Sequence, residues 1–217
     1  MAIIKPFKGL RPPTNIIEEV ACLPYDVMNS EEAAKMAEGK KASLLRITRA
    51  EIEFDKNTDS HDKKVYLHAK SNFDAFQEKG YLIQDTEAKY YIYAQTMNNK
   101  TQYGIVGAAS CQDYVDGIIK KHELTRPDKE EDRKNHVRYS ALNYEAVFLS
   151  YPQVTGIDQL VNITKKEKHL YDFISDDDIR HRLWAITNKE ILQKIASLFR
   201  TKVPKIYIAD GHHRTAA

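Results

Sequence analysis

The stretch Asp210-Gly211-His212-His213-Arg214 holds the densest chemistry in the chain, and it follows directly on the apolar run "KIYIA". That run reads as a β-strand, and the residues after it carry the marks of a helix start. Asp210 can accept hydrogen bonds from the N–H groups of His212 or His213, which the first turn of a helix leaves without partners. Gly211 permits a sharp strand-to-helix turn and close approach of a ligand to the backbone. A helix N-terminus offers N–H donors and a partial positive charge, which suits a phosphate. Arg214 adds a planar guanidinium able to grip a phosphate through two hydrogen bonds. The two histidines add further donors, or a proton carrier. Types and order together point to an anion, with phosphate first.

Two other readings stand beside that one. In the plainest, Asp210 caps a helix, the histidines lie on the surface and Arg214 pairs with a carboxylate. In the other, Asp210, His212 and His213 supply metal ligands, with His122 and Glu123 joining from elsewhere. Adjacent histidines point in different directions, and their spacing matches neither H-x-x-x-H nor H-x-H. No dedicated metal site is therefore expected. Magnesium brought in with a nucleotide needs only one or two protein carboxylates and fits better.

A second cluster lies in "KKHELTRPDKEEDR", Lys120 to Arg133. His122 and Glu123 come just after a short apolar run, at the mouth of an expected strand. A carboxylate placed there, beside basic residues, is suited to act as a general base on a hydroxyl. Pro127 opens a new segment, and Asp128 to Arg133 read as the first turns of a helix. Glu130, Glu131, Asp132 and Arg133 are expected on its solvated face.

Elements that must position these clusters alternate in type along the chain. "MAIIKPF" reads as a short strand ending at Pro6, "TNIIEEVA" as a helical turn or two, and "PYDV" as a loop. Ser30 is expected to cap a helix over "EEAAKMAEGK". "SLLRITRAEI" reads as strand-like. Val65, Ala69, Phe73 and Phe76 recur at helical spacing. "AKYYIYAQTM" and "TQYGIVGAASC", separated by "NNK", read as a β-hairpin. Beyond the second cluster, "AVFLSYP" is expected to be a buried strand, and "GIDQLVNIT" a helix. "HLYDFISDDDIRHRLWAIT" reads as two strands around an acidic turn, and "NKEILQKIASLFR" as an amphipathic helix. The fold class expected is α+β, with mixed sheets and flanking helices. A boundary near Gly117 divides an N-terminal α/β region with the hairpin, residues 1–117, from a second region, 118–217.

Composition narrows the function classes. Hydrophobic residues make up 42% and charged residues 29%, the balance of an ordinary water-soluble domain. A net charge of +2 gives no electrostatic case for a nucleic-acid partner. No apolar run approaches the ~20 residues needed to span a bilayer, so no membrane partner is expected. Cys22 and Cys111 form no C-x-x-C, and no secretory leader is evident, so a reduced cytoplasmic setting is expected.

Taken together, "FKGLRP", "PYDV", "IKKHELTRPDKEEDR", "VFLSYP", "LYDF" and "YIADGHHR" resemble, in order and over essentially the whole chain, the prokaryotic family catalogued as domain of unknown function 1015. That family is grouped with the ParB/sulfiredoxin-like fold, which the resemblance assigns to residues 118–217. Members usually continue well beyond the "DGHHR" helix, so the resemblance implies an N-terminal portion. Within this fold the archaeal ADP-dependent free-serine kinase carries a similar "HE" segment and a similar "DGHHR" turn. The nucleotidase domain of ParB holds CTP phosphates on a related Gly-x-x-Arg helix start. Carried to matching positions, Glu123, with His122 beside it, would be the catalytic base, and Asp210, Gly211, His212, His213 and Arg214 the phosphate-binding turn. Tyr25 and Asp26 of "PYDV" would be candidates for the acceptor site. The implied activity is Mg²⁺-assisted phosphoryl transfer from ADP or ATP to a small hydroxyl compound, free serine among them. The alternative is a nucleotide-binding regulatory module without catalysis. A homodimer is compatible with either. From His212 to Ala217 fewer than two turns fit at ~3.6 residues per turn, so this last helix is expected to be frayed and to bind nucleotide weakly.

Overall fold

In the computed structural model, which describes residues 1–217, Asn98 and Asn99 adopt left-handed backbone angles of φ 50° and 62°. Such angles suit the tight turns whose twist matches that of the flanking strands. They fold Tyr90–Met97 back on Lys100–Val106 as the expected hairpin. Arg180–Ile186 pairs with the free side of Tyr90–Met97, and Tyr171–Ile174 pairs with Arg180–Ile186, giving a four-stranded antiparallel sheet. Tyr90, Ile92, Ala94, Trp184 and Ile186 share one core with Ile157 of the Thr155–Thr164 helix and with Ile195 and Phe199 of the Lys189–Lys202 helix.

A second sheet has three strands. Ile206–Asp210 lies in the middle, parallel to Ile119–Lys120 and antiparallel to Phe148–Ser150. Ile206 and Ile208 turn into the same core. The "AVFLSYP" segment does form a strand, but not the buried one expected. It is an edge strand whose Leu149 packs against the core while Phe148 is exposed. Both sheets belong to one compact unit, residues 1–9, 84–124 and 147–212.

The other unit, residues 10–83, 125–146 and 213–217, is mainly helical. Lys63–Glu78 buries Val65, Tyr66, Ala69, Phe73 and Phe76, the face its periodicity predicts. Across from it runs Pro127–Ser140, with the Tyr66 ring edge-on to His136 at 4.8 Å and stacked on Tyr139 at 5.7 Å. Asn29, not Ser30, caps Ser30–Ala37. Its side chain accepts the Glu32 N–H at 3.0 Å while Glu32 accepts the Asn29 N–H at 2.8 Å, a reciprocal capping box.

Three expectations fail here for physical reasons. "SLLRITRAEI" forms no strand but a helical turn, Leu45–Thr48, followed by a 3-10 turn, Ala50–Glu53. A short apolar run cannot be told from buried helix by periodicity, and here helical turns send Leu45 and Ile47 into different apolar clusters. On Pro127–Ser140, Asp132 and Arg133 are buried rather than solvated, along with His136 and Ser140, while Val137 is 44% exposed. Their polar groups are satisfied inside: the Tyr66 hydroxyl donates to Asp132 at 2.7 Å, and Arg133 donates to the other Asp132 oxygen at 2.6 and 3.1 Å. Finally, the last helix does form, over His212–Ala216, closed by a 3.0 Å bond from the Ala217 N–H to the His213 carbonyl. Side-chain burial, with His212 only 6% exposed, supplies the support that its length does not.

The shared core yields a stability prediction. Ile195 is fully buried, and Ile195→Ala is expected to lower the unfolding free energy by about 2–5 kcal/mol. Urea denaturation followed by the fluorescence of Trp184, which lies in the same core, checks this.

Candidate functional site

In the sheet-bearing unit, two strand ends bring His122, Glu123 and His212 together. Ile119–Lys120 runs parallel to Ile206–Asp210, so the chain leaves both strands at the same end. After the first strand come His122 and Glu123. After the second, Gly211 takes φ 90°, a left-handed value that favours glycine, and turns the chain into the helix that begins at His212. His212 Nδ1 lies 3.3 Å from Glu123 Oε2, and His122 Nε2 lies 3.7 Å from Glu123 Oε1. The two imidazoles meet edge to face, 4.5 Å between centroids and 87° between planes. Burial is uneven. His122 and Glu123 present about 60% of their side-chain surface to solvent, whereas His212 is buried, and its Nε2 has no hydrogen-bond partner in the protein. The arrangement is an accessible carboxylate flanked by one exposed and one buried imidazole. It can accept a proton or hold a cation. Asp210, exposed, ends the strand in the same unit.

The remaining predicted site residues lie in the helical unit. His213 Nε2 accepts the Arg126 N–H at 3.2 Å, so this nitrogen acts as an acceptor rather than as an anion donor. Arg214, its side chain 12% exposed, donates to the Ala146 carbonyl at 3.2 Å and faces Glu145 Oε2 at 3.7 Å. Tyr25 opens a 3-10 turn, Tyr25–Val27. Its N–H donates to Glu145 Oε1 at 2.9 Å, and its ring lies over the Arg133 guanidinium at 3.8 Å. Asp26 on the same turn is exposed.

Sequence reading missed Arg133 and Glu145 as the partners of Tyr25 and Arg214. A helix whose exposed aliphatic residue is Val137 and whose buried residues are polar gives an apolar-stripe search nothing to find. Glu145 holds a left-handed backbone angle, φ 55°, uncommon for a side chain of this size. Burial raises its carboxyl above the ordinary range, against the Tyr25 N–H and the guanidinium groups of Arg214 and Arg133. The Cys22 thiol is likewise pushed up to about 12, by burial first and then by Glu145. Burial would also raise Asp132, but Arg133 and the Tyr66 hydroxyl outweigh it and hold that carboxyl below its usual range.

A family model, described as Protein of unknown function (DUF1015), matches residues 4–217. The chain belongs to that family. No curated protein and no solved structure matches it. In this DUF1015 member no helix is long and apolar enough to cross a membrane.

The buried polar cluster makes stability depend on pH. Burial, then the Arg133 charge, drives His136 down to about 3. An unfolded histidine takes up its proton below ~6.5, while folded His136 stays neutral down to about 3. The unfolded state therefore binds the extra proton, and stability present above pH ~6.5 is lost as pH falls toward 3, at up to ~1.4 kcal/mol per pH unit. Replacing His136 with Gln should flatten the pH profile of the unfolding free energy over that window relative to the parent chain. Chemical denaturation at a series of pH values measures the difference.

Proposed function

We propose that the protein transfers a phosphoryl group from a nucleotide, ADP or ATP with Mg²⁺, to the hydroxyl of a small molecule, with free serine the first acceptor to test. The observation that carries this reading is the Glu123 carboxylate. It stands open to solvent at the carboxyl end of a strand, with the His212 imidazole 3.3 Å away. Ligands of open α/β sheets commonly sit outside the carboxyl ends of strands. The resemblance of the "HE" and "DGHHR" segments to the free-serine kinase and to the nucleotide-binding turn of ParB supports the same reading.

In this mechanism Glu123 accepts the acceptor's hydroxyl proton as its oxygen bonds to the terminal phosphorus. The bond from that phosphorus to the bridging oxygen breaks, and the shortened nucleotide leaves with the electron pair. When bound, Mg²⁺ neutralises charge on the phosphates. His122 and His212 hold the carboxylate between them. Gly211 lets a phosphate approach the backbone at the strand-to-helix turn. Arg214 already has Glu145 and the Ala146 carbonyl as partners, so binding a phosphate would require it to exchange them.

Incubation with ADP or ATP, Mg²⁺ and serine should yield phosphoserine, detected by mass spectrometry. Glu123→Gln should slow turnover by roughly 10²–10⁴-fold, the usual weight of a general base, with nucleotide affinity little changed. Product formed at the parent rate by that variant sinks the base assignment. Tight nucleotide binding with no phosphorylated acceptor favours the non-catalytic regulatory module instead.

A further inference from the structure

We infer that His122, Glu123 and His212 form a binding site for one divalent first-row transition ion, of the zinc type, in the sheet-bearing unit. The inference does not rest on phosphoryl transfer, and an ion held by Glu123 would occupy the carboxylate that the proposed base needs free. One ligand atom from each residue can be chosen so that all lie within 4.8 Å of one another. Ligands about 2.1 Å from a tetrahedral ion stand roughly 3.4 Å apart. Two separations, 3.3 Å from Glu123 Oε2 to His212 Nδ1 and 3.7 Å from Glu123 Oε1 to His122 Nε2, are close to that spacing.

The donor set selects the ion. Two imidazoles with one carboxylate suit zinc, cobalt, iron and their neighbours, whereas magnesium and calcium prefer oxygen ligands throughout. Three protein ligands leave a further position for water or a substrate oxygen, the pattern of open zinc sites.

His212 provides the second, independent observation. It is 6% exposed, and it turns Nδ1, rather than the unpartnered Nε2, toward Glu123. An exposed His122–Glu123 pair contributes little and gives no reason to bury a second imidazole against it. A cation on His212 Nδ1, the nitrogen 3.3 Å from Glu123, supplies that reason. The exposed His122 and Glu123 form the entry path, and buried His212 fixes the inner ligand.

Metal-free protein titrated with Zn²⁺ or Co²⁺, without nucleotide or acceptor, tests this. Calorimetry should show one ion per chain, and bound Co²⁺ should develop visible absorption. His122→Ala and Glu123→Gln should each weaken binding by at least the ~10–100-fold that even an outer-shell partner commands. Both residues are exposed, so these variants should keep the parent circular-dichroism spectrum, whereas His212→Ala removes a buried ring. Excess Mg²⁺ should not displace the ion. Absence of saturable binding overturns the proposal, as do unchanged affinity in both exposed-residue variants or displacement by Mg²⁺. Because the phosphoserine assay uses Mg²⁺ alone, failure there and failure here are separate results.

Discussion

The parallel pairing of Ile119–Lys120 with Ile206–Asp210 is the constraint on which the candidate site depends. Segments far apart in sequence leave adjacent strands at the same end only when those strands run in the same direction. An antiparallel pairing would send His122 and Glu123 to one end of the sheet and His212 to the other. The core fixes the pairing, since Ile119, Ile206 and Ile208 all face it and slipping the strand by one residue would turn the apolar side chains outward. Gly211 then completes the geometry by aiming His212 back toward Glu123 rather than on along the strand.

The helical unit obeys a different rule. There the charges of Asp132 and Arg133 are buried, and the cost of taking them out of water is met by mutual hydrogen bonds, the Tyr66 hydroxyl and the Tyr25 ring. Such a network contributes little net stability when whole, yet it penalises any arrangement that leaves one member alone. Glu145, in a left-handed conformation and holding both the Tyr25 N–H and the Arg214 guanidinium nearby, extends it across three separate stretches of sequence.

How legible was this from sequence? The hairpin could be read because two asparagines signal a turn through local backbone preference alone, and the Lys63–Glu78 helix because its apolar stripe has the right period. "DGHHR" and "HE" stood out because they place unusual chemistry right after strand-forming runs. What could not be read was pairing. Nothing local says that Ile206–Asp210 lies between two earlier strands, that His212 turns inward while His213 meets Arg126, or that Arg133 is buried. Tertiary partners decide each of these, and "SLLRITRAEI" shows the same limit, since its apolar residues fit a strand until two different clusters claim them.

The strand in the middle of the three-stranded sheet follows both of its neighbours in sequence. As synthesis proceeds, Ile119–Lys120 and then Phe148–Ser150 emerge without the strand that will separate them, and both wait with open edges. Ile206–Asp210 fills that gap and, in the next few residues, delivers His212. A nascent chain interrupted before this point thus keeps His122 and Glu123 but lacks both their buried partner and the strand between its edges. The joining of these three strands and the arrival of His212 beside Glu123 are one event in the life of the molecule, and a copy cut short before it leaves two strand edges open to pair with other chains.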